Sequence, residues 1–144
     1  MKQLSLLILS FIVLASCQPK EDYKAARTEV VDIHDKVMVS TEIAIHKKME
    51  LDTLAGRMDS LQKMNVVSDT LTELKQINSL RGKLTDLDNQ MTDWMHGFKP
   101  ELDERTNEEA IKYFKAEKVK ILALDSVYHQ VLKETNAYLT KYHN

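Results

Sequence analysis

The chain has 144 residues, with 20 Lys and Arg against 22 Asp and Glu, and a formal charge of −2 at pH 7. A balance this close to neutral, without a basic stripe, argues against nucleic acid as a partner, and a single cysteine excludes an internal disulfide framework. Three glycines and two prolines among many Leu, Lys, Glu, Met and Ala residues favour helix along most of the length.

The N-terminus opens with Lys2 and a nearly unbroken apolar run from Leu4 to Ala15. A positive start, an apolar stretch and small residues at its end are the layout of a secretory signal. The run falls short of the about 20 residues that a membrane-spanning helix needs. Its closing tetrad, Leu14-Ala15-Ser16-Cys17, resembles the bacterial lipobox. That resemblance implies cleavage before Cys17, loss of residues 1–16 as a signal peptide, and a diacylglycerol on the Cys17 sulfur. No other cofactor is expected. An ordinary cleaved signal would instead leave Cys17 as a lone thiol with nothing to pair with in an oxidising compartment. Two or more acyl chains hold a protein stably on a bilayer, so the membrane is the first expected partner, through the lipid.

Residues 17–22 form the tether. Gln18 stands where an aspartate would resemble an inner-membrane retention signal. The stretch Gln18-Pro19-Lys20-Glu21-Asp22 resembles the lysine-plus-acid address of surface lipoproteins in the Bacteroidota. It implies a place in the cell envelope at the outer membrane, with an outward-facing orientation as a further expectation.

Residues 23–144 form one helical domain. Tyr23, Ala26, Val30, Ile33, Val37, Ser40, Ala44, Lys47, Leu51, Leu54, Met58 and Leu61 recur by alternating threes and fours. That spacing is a heptad stripe, and it predicts a helix over 23–64. Ile77, Leu80, Leu84, Leu87, Met91, Trp94 and Phe98 predict a second over 69–97. Ala110, Phe114, Glu117, Ile121, Leu124, Tyr128, Val131, Thr135, Tyr138 and Tyr142 predict a third over 107–142. Between them, Asn65-Val66-Val67-Ser68-Asp69 breaks the pattern, with Ser68 or Asp69 as a cap. Gly97 and Pro100 stop the second helix. Thr106 or Asn107, followed by Glu108 and Glu109, starts the third. The period-two alternation of strands is missing. Short connections make neighbours antiparallel, so the expected fold is all-α, an elongated, coiled-coil-like antiparallel three-helix bundle.

Register brings particular residues together. A turn about residues 66–67 places Met38 level with Met95, Thr41 with Thr92 and His34 with Lys99. A turn about 102–103 places Met95 near Ala110 and Met91 near Phe114. His34-Asp35-Lys36-Val37-Met38 and Met91-Thr92-Asp93-Trp94-Met95-His96-Gly97-Phe98 therefore converge at one end, the end nearest the lipid. Up to about three turns of the first helix then project toward the membrane, beyond the hairpin it makes with the second. The pairing of His34-Asp35-x-x-Met38 with Met91-x-x-Trp94-Met95-x-x-Phe98 is similar to small helical lipoproteins of the Bacteroidota, some labelled viral A-type inclusion proteins. The resemblance implies a lipid anchor and a helical domain, and it brings no activity and no catalytic or binding residue with it.

Three kinds of function remain to be weighed. The His and Met residues, His34, Met38, Met91, Met95 and His96, form a candidate cluster for a soft metal, since thioethers and imidazoles suit Cu(I). The competing reading is that methionine fills gaps in a helical core and packs on aromatics such as Trp94. Enzyme chemistry has less to stand on. There is no Glu-x-x-His within a core stripe, no Gly-rich phosphate loop and no cysteine pair, so no catalytic residue is named. Interaction is the leading expectation: a non-catalytic structural or adaptor module with a protein partner or a second copy of itself. Met38, Ile45, Met49 and Trp94 or Met95 flank the core stripes and form a docking patch wherever they stay exposed.

Overall fold

The computed structural model describes residues 22–102 and 104–142. The expectations for residues 1–16, for Cys17 and for the sorting address after it fall outside the described residues, apart from Asp22. Among the described residues four α-helices pack together: α1 (Tyr23–Gly56), α2 (Met58–Lys63), α3 (Thr70–Gly97) and α4 (Asn107–Leu139), followed by a 3-10 turn, Thr140–Tyr142. No strand occurs among the described residues. None of the described helices is long and apolar enough to cross a membrane.

Each helix boundary has a local chemical cause. The Asp22 carboxylate accepts from the Lys24 amide at 3.1 Å and starts α1. The helix expected over 23–64 is broken at Arg57, where φ −99° and ψ −3° leave its amide bonded to the Leu54 carbonyl at 3.0 Å. Gly56 supplies the weak point, because glycine disfavours helix by about 1 kcal/mol relative to alanine. The apolar stripe crosses the break in register, with Leu54, Met58 and Leu61 all buried.

α2 ends in a Schellman turn. Asn65 adopts φ 61°, the Val66 amide reaches the Leu61 carbonyl at 2.9 Å, and the Asn65 amide reaches that of Gln62 at 2.9 Å. Of the two residues expected to cap the next helix, Asp69 does so, accepting from the Leu71 and Thr72 amides at 3.0 and 3.1 Å. Gly97 ends α3 without a positive φ; the chain leaves the helix at Phe98, whose ψ is 130°. Thr106 caps α4 in a full capping box with Glu109. The last three residues expected in that helix form the 3-10 turn instead.

The three heptad stripes meet in one core. Val30, Val37 and Leu51 of α1, Ile77 and Leu80 of α3, and Phe114, Ile121 and Tyr128 of α4 are fully buried. α1 and α4 share the most extensive interface. Residue numbers rise together along that pair, where Tyr23 meets Asn107, Glu29 meets Lys118 and Thr41 meets Tyr128. They run in opposition between α1 and α3, where Lys48 meets Thr85 and Asp52 meets Arg81. They oppose again between α3 and α4, where Glu73 meets Tyr138 and Lys83 meets Glu134.

Two details of register differ from expectation. Phe114 packs on Phe98, with ring centroids 6.1 Å apart, instead of lying level with Met91. The 3.0 Å pair between Arg27 and Glu101 holds the connection between α3 and α4 against α1. For the same reason the start of α1 does not project alone. Its Tyr23 amide donates to Asn107 Oδ1 at 3.0 Å, and its ring stacks on Phe114.

Candidate functional site

The end of the bundle that carries the start of α1 is built from aromatic rings. His34 stacks on Trp94 at 5.7 Å, and Trp94 stacks on Phe98 at 4.9 Å. Phe98 then meets Tyr113 and Phe114, which meet each other at 5.2 Å, edge to face. The Lys99 amide donates to the Tyr113 hydroxyl at 2.8 Å, and the Arg105 guanidinium lies 5.3 Å over the Tyr113 ring. The rings hold the connection between α3 and α4 against both helices, because offset and edge-to-face pairs add to the area they bury.

The residues singled out from the sequence are divided by this arrangement. His34, Trp94 and Met95 come together with Val31 and Phe98 around a shallow pocket of about 150 Å³. His34 Nδ1 lies 3.0 Å from the Asp35 carboxylate. Met91 is 1% exposed and belongs to the core. His96 faces solvent. Met38 borders a different hollow, with Val39, Thr41, Glu42 and Ile45. Of the six, His34, Trp94 and Met95 line the pocket with Val31 and Phe98. Among the described residues no group of three or more His, Cys, Asp or Glu side chains could hold a metal ion. Trp94 Nε1 is buried there without a hydrogen-bond partner.

What the arrangement leaves open is one face of α1. Val31 (37% exposed), Met38 (37%) and Ile45 (50%) recur every seven residues, and Met95 of α3 (40%) lies beside them. Asp35 and Glu42 alternate with the apolar positions on the same face. Val31 was missed from sequence, although the seven-residue spacing through Met38 and Ile45 points to it. The Thr41–Tyr128 pair was missed as well, since a threonine beside a heptad stripe carries no sign that a tyrosine of another helix will meet it.

At the far end, the Tyr138 hydroxyl donates to Glu73 Oε2 at 2.6 Å. This bond, with a second from Tyr142, holds the Glu73 carboxyl below the ordinary glutamate range. Burial pushes the Tyr138 hydroxyl far above the usual tyrosine range, and the Glu73 bond adds to it. Along the body of α4, the Glu117 carboxylate is buried at a core position and accepts from Lys120 Nζ at 2.7 Å. That bond raises the Lys120 ammonium above its usual value. The Glu73–Tyr138 bond ties α3 to α4, and the Lys120–Glu117 bond lies within α4. No family model, no characterised protein and no solved structure matches this chain.

Proposed function

We propose that the chain is a lipid-anchored protein of a bacterial envelope that acts as a non-catalytic interaction module, docking a protein partner on the outer face of α1. The single observation that carries the docking reading is the exposed stripe Val31–Met38–Ile45 with Met95 beside it. Exposed apolar residues scattered singly need no explanation, but a run at heptad spacing on a helix already packed on its other side suits a partner helix.

The anchor is read from Lys2, the Leu4–Ala15 run and the tetrad ending at Cys17. An outer-membrane address and a kinship with small helical lipoproteins of the Bacteroidota follow from the resemblances of residues 18–22 and 34–98. The domain itself is an elongated antiparallel three-helix bundle in which α2 continues α1, a reading supported by the order of the cross-helix contacts. α1 alone extends about 51 Å.

Replacing Met38 and Ile45 by aspartate tests the docking reading. Recovery of a co-purifying protein from native cells is expected to fall to background while helix content and unfolding midpoint stay unchanged. Recovery equal to wild type removes the stripe from the account. Metabolic labelling with palmitate tests the anchor independently: label on the wild type and none on Cys17→Ala is the expected pair of results.

A further inference from the structure

A groove lies at the other end of the bundle, where α1 breaks and α4 tightens into its 3-10 turn. It measures about 300 Å³, and its lining includes Met49, Thr53, Leu54, Arg57, Leu139 and Tyr142. Two departures from regular helix create it: the stop at Gly56 and Arg57, and the 3-10 turn Thr140–Tyr142. It is therefore more than the ordinary furrow between two helices. Tyr142 forms one wall and is held by its hydrogen bond to Glu73 of α3.

The floor is apolar, with Leu54 and Leu139 from the core and the exposed Met49 on one rim. The charges at the rim are unevenly balanced. Glu50 accepts both 2.8 and 3.0 Å bonds from Lys47, and His46 lies 4.0 Å from Glu42. Arg57 has no ion pair among the described residues, and it is exposed at the mouth. Beside the polar His46, Glu50 and Thr53, the apolar Met49, Leu54 and Leu139 and a guanidinium that no described carboxylate pairs with match an apolar chain with one anionic head. The planar donor fork of arginine fits a carboxylate with two parallel bonds. A volume at the low end of the about 300–1,000 Å³ found for small-molecule pockets fits one chain and excludes a partner helix.

We propose that this groove binds a single-chain fatty carboxylate, its chain lying over Leu54 and Leu139 and its carboxylate held by Arg57. The site is separate from the stripe Val31–Met38–Ile45, so its failure would leave the docking reading untouched.

The test is photo-labelling of the full-length chain with a diazirine derivative of dodecanoate, followed by peptide mapping. Label is expected on the segments around Thr53 and around Leu139. Dodecanoate should compete for it and dodecanol should not. Arg57→Gln and Thr53→Glu, both at exposed positions of the groove, should each lower labelling by about tenfold at unchanged helix content. Thr53→Glu acts by setting a carboxylate against the incoming one. Label spread over exposed apolar residues such as Val39, Leu71 and Val119 would overturn the proposal. So would equal competition by the alcohol, or wild-type labelling of both variants.

Discussion

The hydroxyls of Thr41 and Tyr128 lie 3.1 Å apart in the interior of the bundle and join α1 to α4. The Thr41 hydroxyl also donates to the Val37 carbonyl, at 3.2 Å. The two ends of this contact are therefore unequal. Tyr128→Phe leaves Thr41 with its backbone partner and is expected to cost about 1 kcal/mol or less. Thr41→Val strands a buried tyrosine hydroxyl and is expected to cost about 1–3 kcal/mol. Urea denaturation of the two variants checks the order. Equal losses would mean that Tyr128 finds another partner once Thr41 is gone.

The core and the proposed docking stripe share α1 and should separate cleanly on mutation. Leu51 is fully buried, and Leu51→Ala is expected to cost about 2–5 kcal/mol. Met38→Ala removes a side chain from the outer face and should change stability by no more than about 0.5 kcal/mol. Thermal unfolding of both variants measures the difference. A large loss at Met38 would mark it as a packing residue and remove it from the interaction surface.

Stability should fall at both extremes of pH, and the Glu73–Tyr138 contact contributes at each. The folded value of Glu73 is depressed, so its contribution is full above the ordinary glutamate value of about 4.3 and is lost as pH falls through the lower folded value. The folded values of Tyr138 and Tyr142 are raised, so theirs is full below about 10 and is lost as pH rises beyond it. Unfolding midpoints measured against pH should show both limbs. Glu73→Gln should flatten part of the acid limb, and the remainder belongs to the other lowered carboxylates, Asp69 and Glu109. An acid limb identical to wild type in Glu73→Gln would contradict the assignment.

The soft-metal reading of the His and Met residues predicts a loss of bound metal when they are replaced. With Met91 in the core and Met38 outside the His34 pocket, the expected outcome of a Cu(I) competition titration is equal uptake by wild type and by His34→Ala, Met38→Ala. Loss of one equivalent in the double variant would favour the metal reading.

Most of the core could be read in advance, because burial in a helical bundle is recorded directly in heptad spacing. Val30, Val37, Ala44 and Leu51 are buried where the first stripe puts them, and even Glu117 and Thr135 occupy the core positions that their spacing assigns. The caps at Asp69 and Thr106 were legible for the same local reason. The break at Arg57 was not. Glycine lowers the preference for helix without dictating a stop, and the stripe passes through without a slip.

Register of the last helix was also hidden, since it depends on contacts such as Phe98 with Phe114 and Arg27 with Glu101 that no spacing announces. The candidate site was half legible. Convergence of the segments around His34 and Trp94 followed from where the first hairpin turns. Which of their side chains share a pocket depends on the rotation of each helix. That rotation sends Met91 inward, His96 outward, and leaves Trp94 under His34.

The most direct test of the docking account places a photo-crosslinking amino acid at position 38 in the full-length chain, expressed in native cells. The account predicts one discrete adduct with a second protein, absent when the same amino acid replaces Lys112 on the exposed side of α4. The same weak adducts from both positions, or self-crosslinks alone, would contradict it.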